Sequence, residues 1–194
     1  MISDLILSLF AFSFYFLSFR YKRYWSLFFL FMGLSAFTGG IYHGNEELGE
    51  GLRFLSWSFL SAALLFALFG AYKGVGNKML RIFFLTKSAV LLSISIYQAN
   101  FTFMAIDTAI SLMGFVVIGN FLFLRNQSRW ILLGIMISLF SAFVFANQIV
   151  LHEEYMTAND IGHYISIPSL FFMMIGVRED AKNERLAVVL KQAA

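Results

Sequence analysis

The sequence predicts an all-α fold, a bundle of seven transmembrane helices, on three observations: its composition, the spacing of its apolar stretches and the placement of its basic residues. Of 194 residues, 60% are hydrophobic and 13% charged, with 25 phenylalanines and one proline. Soluble domains carry roughly a quarter charged residues. Too little polar side chain remains to coat a compact globule, so apolar side chains must face lipid, and the lipid bilayer is the first expected partner. A soluble enzyme, a disordered chain and a nucleic-acid-binding domain are excluded, despite a net charge of +3. The chain has no cysteine, which removes disulfides, thiolate metal sites and cysteine nucleophiles together.

A helix needs about 20 mainly apolar residues to cross roughly 30 Å of hydrocarbon. Seven stretches qualify, at 2–19, 24–43, 52–72, 79–97, 101–124, 130–151 and 159–177. The first lacks a positive leading segment and a small-residue cleavage site, so it reads as a retained span and not as a secretory signal. The second closes on Gly39, Gly40 and His43, the glycines allowing a neighbouring helix to come close. The third is bounded by the polar segments 44–51 and 73–78. The fourth holds Lys87 about nine residues, or roughly 13 Å, inside its basic end, deep for a cation to reach headgroups. The fifth carries Asp107, the sixth opens at Trp130 as aromatic belts do, and the seventh opens with Asn159 and Asp160 and contains Pro168. Residues 1–177 thus form the transmembrane domain. Residues 178–194 form a charged cytoplasmic tail whose apolar patch, Leu186 to Leu190, suits a short amphipathic helix on the membrane surface.

Loops kept in the cytoplasm are enriched in Lys and Arg. Arg20, Lys22, Arg23, Lys73, Lys78, Arg81, Arg125, Arg129, Arg178, Lys182, Arg185 and Lys191, twelve of the fourteen basic residues, fall at one end of the bundle. The other end carries Arg53 with Glu46, Glu47, Glu50, Glu153 and Glu154. This alternation places the N-terminus outside and the C-terminus in the cytoplasm of a cell (inner) membrane protein.

Ionisable residues at membrane depth are costly and therefore mark functional sites. His43, His152 and His163 all collect at the outer end, with Asp107, Asn159, Asp160, Ser35 and Thr38 nearby. Neutral imidazole is the commonest zinc ligand, and three protein ligands plus a water make the usual catalytic arrangement. Each candidate has a plainer role beside it: Asn159 or Asp160 as a helix cap, His43 and His152 as headgroup-level residues, and Asp107 as a partner of a hydroxyl on another helix. Lys87 either faces a wet cavity or pairs, and Asp107 is the one carboxylate within a neighbouring span, although the two estimated depths do not coincide. Gly74, Gly76 and Lys78 lack the spacing of a phosphate-binding loop, and His152-Glu153-Glu154 lacks the second histidine of a zinc-protease helix.

Seven spans, the segment Ser35-Ala-Phe-Thr38-Gly-Gly-Ile-Tyr-His43 and the segment Asn159-Asp160-Ile-Gly-His163 together resemble the CREST superfamily, which includes the alkaline ceramidases and the adiponectin/progestin receptors. The resemblance implies a zinc ion held by a second-span histidine and a His-x-x-x-His motif in the seventh span, helped by a serine and an aspartate. Carried over, His43 and His163 are ligands, Asn159 stands at the first motif position, and His152 is a further candidate ligand. Ser35, Thr38, Asp107 and Asp160 are the candidate catalytic groups. The implied activity is hydrolysis of a lipid amide or ester near the outer membrane face. The alternative, from a different class, is a non-enzymatic sensor or transporter that uses the same His/Asp cluster to bind a proton or ion.

Overall fold

A computed structural model describes residues 1–45, 47, 49–72, 76–124, 127–152 and 156–193. Lys73, Gly74, Glu46, Arg125, Glu153 and Glu154 lie outside the described residues. The described chain is all-helical: α1 (Ile2–Ser18), α2 (Arg23–Gly44), α3 (Glu50–Ala71), α4 (Lys78–Tyr97), α5, α6 (Arg129–Ala146) and α7 (Ala158–Ala193). Helix α5 opens as an α-helix over Thr102–Thr108 and continues as π-helix over Ala109–Ile118 and Asn120–Leu124. Five of these helices, α2, α3, α4, α5 and α7, are long and apolar enough to cross a membrane, while α1 and α6 are apolar but shorter.

Local sequence sets where several helices begin. The Asn77 side chain accepts from the backbone N–H groups of Met79 and Leu80 at the start of α4. Ser128 does the same for Trp130 at the start of α6. Both satisfy donors that the first helical turn leaves without a partner. Gly49, at φ 87°, supplies the left-handed turn that leads into α3.

The helices pack as a ring in chain order, α7 returning to α1, with α5 also reaching across to α3. The pattern is inverted relative to a soluble bundle. Helix α1 buries Ser3, Asp4, Ser8 and Ser18 alongside Leu7, Ala11 and Phe14, while Leu9 and Phe16 are 66% and 74% exposed. Hiding hydroxyls and presenting leucine and phenylalanine is the arrangement compatible with lipid surroundings, where a polar group must find its partner inside the protein.

Hydroxyl-to-carbonyl bonds tie the helices together. Ser8 Oγ donates to the Gly33 carbonyl at 2.9 Å between α1 and α2. Ser141 Oγ and Ser169 Oγ donate to the carbonyls of Gly162 and Gly134, each at 2.7 Å, between α6 and α7. Small residues make this approach possible. A Cβ on Gly134 would lie 2.6 Å from the Ser169 carbonyl oxygen.

One end of the ring carries Met1, His43, Phe101 and the start of α7, and we call it the histidine end; the other carries Lys22, Ser128 and Glu184, and we call it the basic end. The largest buried apolar side chains, including Phe28, Phe29, Leu68, Ile131 and Val177, gather towards the basic end. The histidine end is more polar inside, and that difference positions the site. Helix α7 passes through Pro168 and runs without interruption to Ala193. Residues 178–193 therefore extend α7 itself, because nothing after Pro168 breaks the helix and Ala, Leu, Lys, Glu and Arg favour its continuation.

Candidate functional site

Three helix termini meet at the histidine end. The first turns of α1 and α7 bring Asp4 and Asp160, and the last turn of α2 brings His43. Each charge type sits where the helix dipole favours it, carboxylates at N-termini and an imidazole at a C-terminus. Gly40 lets α1 come close to α2, since a Cβ there would lie 3.0 Å from the Asp4 Cβ. That contact buries Asp4 to 2% exposure.

Asp160 is held by a reciprocal capping arrangement with Thr157. The Thr157 N–H and hydroxyl donate to Asp160 Oδ2 at 3.2 and 2.6 Å, and the Asp160 N–H donates back to Thr157 Oγ1 at 3.4 Å. Asp160 thus takes part in the cap from inside the first turn, with Thr157 ahead of the helix, and does not cap amides two or three residues further on; its second oxygen is left for another use. Ser3 Oγ donates to Asp160 Oδ1 at 2.6 Å and lies 3.2 Å from His163 Nδ1. His163 Nδ1 also lies 3.5 Å from Asp4 Oδ1.

These distances fix the direction of the hydrogens. A serine hydroxyl has one hydrogen, and that of Ser3 goes to Asp160. Towards His163, Ser3 therefore accepts, and so does Asp4. With acceptors on that side, the tautomer favoured for the neutral ring carries its hydrogen on Nδ1, which leaves Nε2 as the atom that gains or loses a proton. The Asp4 carboxylate oxygen and the Ser3 hydroxyl oxygen thus both face Nδ1 as acceptors.

The other sequence candidates lie as follows. His43 is exposed, packs edge-on against Tyr42 and is close enough to His163 for the two rings to sense each other's charge. His152 is exposed in a short backbone bridge with Met156. Asn159 is half-buried in the first turn of α7. Ser35 Oγ meets Ser56 Oγ at 3.3 Å between α2 and α3. Thr38 Oγ1 donates back to the Leu34 carbonyl of its own helix at 2.8 Å. Asp107, read together with the histidines, has Lys87 and Ser111 as its hydrogen-bond partners, the Lys87 Nζ–Asp107 Oδ1 contact being an ion pair between α4 and α5. The length of the lysine side chain bridges the depth difference that the sequence implied.

Ser3 and Asp4 were not among the sequence candidates. The available signal was Asp4 as the sole charged residue before Arg20, on one helical face with Ser8.

The zinc ion implied by the family resemblance can be tested against this geometry. His163 is oriented by a carboxylate, as metal-ligating histidines are. Zinc also needs a set of convergent donors. Among the described residues no group of three or more His, Cys, Asp or Glu side chains is arranged to hold a metal, and Asn159 stands where the motif needs a histidine. The described residues do not supply the three convergent ligands that the resemblance implies.

No curated protein and no solved structure matches the chain. A family model described as "Family of unknown function (DUF6962)" matches residues 1–182. A match over that length, taking in α1 to α6, most of α7 and the Ser3–Asp4–Asp160–His163 network, establishes that the chain belongs to the DUF6962 family.

Proposed function

We propose that this chain is a multi-pass cell-membrane protein, a non-enzymatic seven-helix sensor or carrier, that binds and releases a proton at His163 Nε2. The observation that carries the reading is the set of acceptors around Nδ1: Ser3 Oγ at 3.2 Å, its own hydrogen going to Asp160 Oδ1 at 2.6 Å, and Asp4 Oδ1 at 3.5 Å, from which we infer that Nδ1 keeps its hydrogen and Nε2 exchanges. Asp4 stabilises the charged ring, Ser3 and Asp160 hold its orientation, and His43 opposes a second positive charge nearby. In this reading all seven helices span the bilayer, α1 and α6 included, at about 25–27 Å each from 1.5 Å per residue over 17 and 18 residues. The excess of Lys and Arg at the basic end puts that end in the cytoplasm and the histidine end outside.

Proton binding by the purified protein in lipid vesicles, followed with a pH-indicating dye, tests the proposal. The full chain takes up a proton that His163→Gln does not, and Asp4→Asn weakens the uptake. Stoichiometric zinc accompanied by hydrolysis of a long-chain amide or ester, both lost in His43→Ala or His163→Ala, would replace this reading with the lipid-hydrolase one.

A further inference from the structure

The basic end holds a cleft of about 310 Å³ where the connection between α1 and α2, the first turn of α2 and the last turn of α3 meet. Lys22 and Arg23 stand in its wall with Tyr24, Trp25 and Gly70, against one carboxylate among the described lining residues, Glu184. Glu184 pairs with Lys22 at 2.5 Å but is itself 52% exposed, and an exposed pair of that kind gives way easily to a better-placed anion. Arg23 is exposed and has no acidic partner among the described residues. Arg81 adds a third positive charge alongside, its guanidinium 5.9 Å from the Phe69 ring on which Tyr24 also packs.

The cleft also holds donors without an acceptor. Trp25 is 2% exposed, yet its indole N–H, beside Gly70 in the cleft wall, has no hydrogen-bond partner among the described residues. A buried donor left in that state is costly and uncommon. A Cβ on Gly70 would lie 2.7 Å from Trp25 Nε1, so the missing side chain there keeps the indole within reach. The first turn of α2 opens on the same cleft, and Lys22 at its N-cap makes no side-chain capping bond, which leaves the positive end of the helix free.

Away from the cleft the surface turns aromatic. From Tyr24 a file of half-buried rings follows the seam between α2 and α3, through Phe69, Phe66, Phe31 and Phe59, with successive centroids 5.9, 6.4, 5.2 and 6.0 Å apart. From Phe69 back to Phe59 the helix covers roughly 15 Å of depth, about one leaflet of the hydrocarbon core.

We propose that this cleft binds one anionic phospholipid, its phosphate held by Lys22, Arg23, the Trp25 indole N–H and the start of α2, and an acyl chain laid along the rings. Basic pockets between spanning helices suit anionic headgroups, and Trp and Tyr favour the same level of the membrane. A soluble phosphate would use only the head of this arrangement. The site needs α2 and α3 to span the bilayer and does not depend on the His163 reading.

Native mass spectrometry of the full chain released from detergent micelles tests it, with phosphatidylglycerol, phosphatidylcholine of the same chains or inorganic phosphate added. The expected result is one phosphatidylglycerol retained at a concentration at least about tenfold below that needed for phosphatidylcholine, and no retention of inorganic phosphate. Lys22→Gln/Arg23→Gln should erase the preference. Trp25→Phe, which keeps a ring but loses the donor, and Gly70→Ala, which sets a methyl against that donor, should each weaken it. Arg129→Gln, at the same end but outside the cleft, and His163→Gln should keep it. Equal retention of the two lipids, inorganic phosphate binding as tightly as phosphatidylglycerol, or a preference that survives the Lys22→Gln/Arg23→Gln change overturns the proposal.

Discussion

Removing one partner of the Lys87–Asp107 pair differs sharply from removing both. Lys87→Met leaves a carboxylate at 0% exposure whose Oδ2 already lacks a partner. Breaking a buried pair this way costs about 3–5 kcal/mol, and in this chain the lower end is expected, because protonation or retained water relieves part of the charge. Asp107→Leu strands an ammonium at membrane depth, worth about 2.5–3.5 kcal/mol on insertion scales. The double variant Lys87→Met/Asp107→Leu places two apolar side chains in lipid-like surroundings and should fall within about 1 kcal/mol of the parent, since apolar replacements of buried pairs are often neutral or better. The assay is reversible unfolding in mixed micelles followed by tryptophan fluorescence, closed as a double-mutant cycle. The coupling, the excess of the two single losses over the double, should reach about 4–5 kcal/mol. Single losses below about 1 kcal/mol that simply add would refute the claim that this pair is a buried, mutually compensating charge pair.

Other consequences are independent of that pair. Gly134→Ala places a methyl 2.6 Å from a backbone oxygen of α7, which cannot swing aside, and should cost about 1–3 kcal/mol in thermal unfolding; Gly114→Ala, with nothing within 4 Å, should be close to neutral. Thr157→Ala removes the reciprocal cap of α7 and should cost about 1 kcal/mol, while also raising hydrogen exchange in the first turn of α7. Asp180 lies beyond the apolar part of α7, under the start of α6, where burial pushes its carboxyl up from 3.8 to about 6 against the opposing Ser128 N–H and Lys22. A carboxyl raised by folding adds stability that is fully present below the ordinary value and lost as pH rises through the raised one. Stability should therefore fall between pH 3.8 and about 6, and Asp180→Asn should flatten that fall; an unchanged slope in the variant contradicts the assignment.

What could be read from the sequence follows from the physics of each feature. Lipid demands apolar stretches of fixed length, so the helices were visible as runs of about 20 residues. The interior offers no such one-dimensional signal. Ser3 and Asp4 look like the polar start of a span until α7 brings Asp160 and His163 against them. The π-helix of α5 has no recurrent residue pattern, because it registers how the chain meets α3 and α4. The sequence offers Asp107 two partners, the histidines towards the same end of the bundle and Lys87 on the adjacent helix, and its bonds go to Lys87, a choice made by the rotation of α4 and α5 about their axes. Polarity ends the seventh apolar stretch at Val177 and suits a separate short helix near Leu186 to Leu190, whereas one continuous helix runs to Ala193, since leaving lipid does not require leaving the helix.

The claim on which the functional account turns is that His163 is a proton-exchanging imidazole held through Nδ1 by Asp4 and Ser3. Nitrogen NMR of ring-labelled histidine, with the protein in bilayers and the pH stepped downward, tests it most directly. The account predicts one ring that keeps its Nδ1 hydrogen throughout, gains its proton at Nε2, titrates at more acidic pH in Asp4→Asn and ignores added chelator. A His163 ring whose Nε2 signal is that of a metal-bound nitrogen and changes on chelation, or one that titrates identically with and without Asp4, would contradict it.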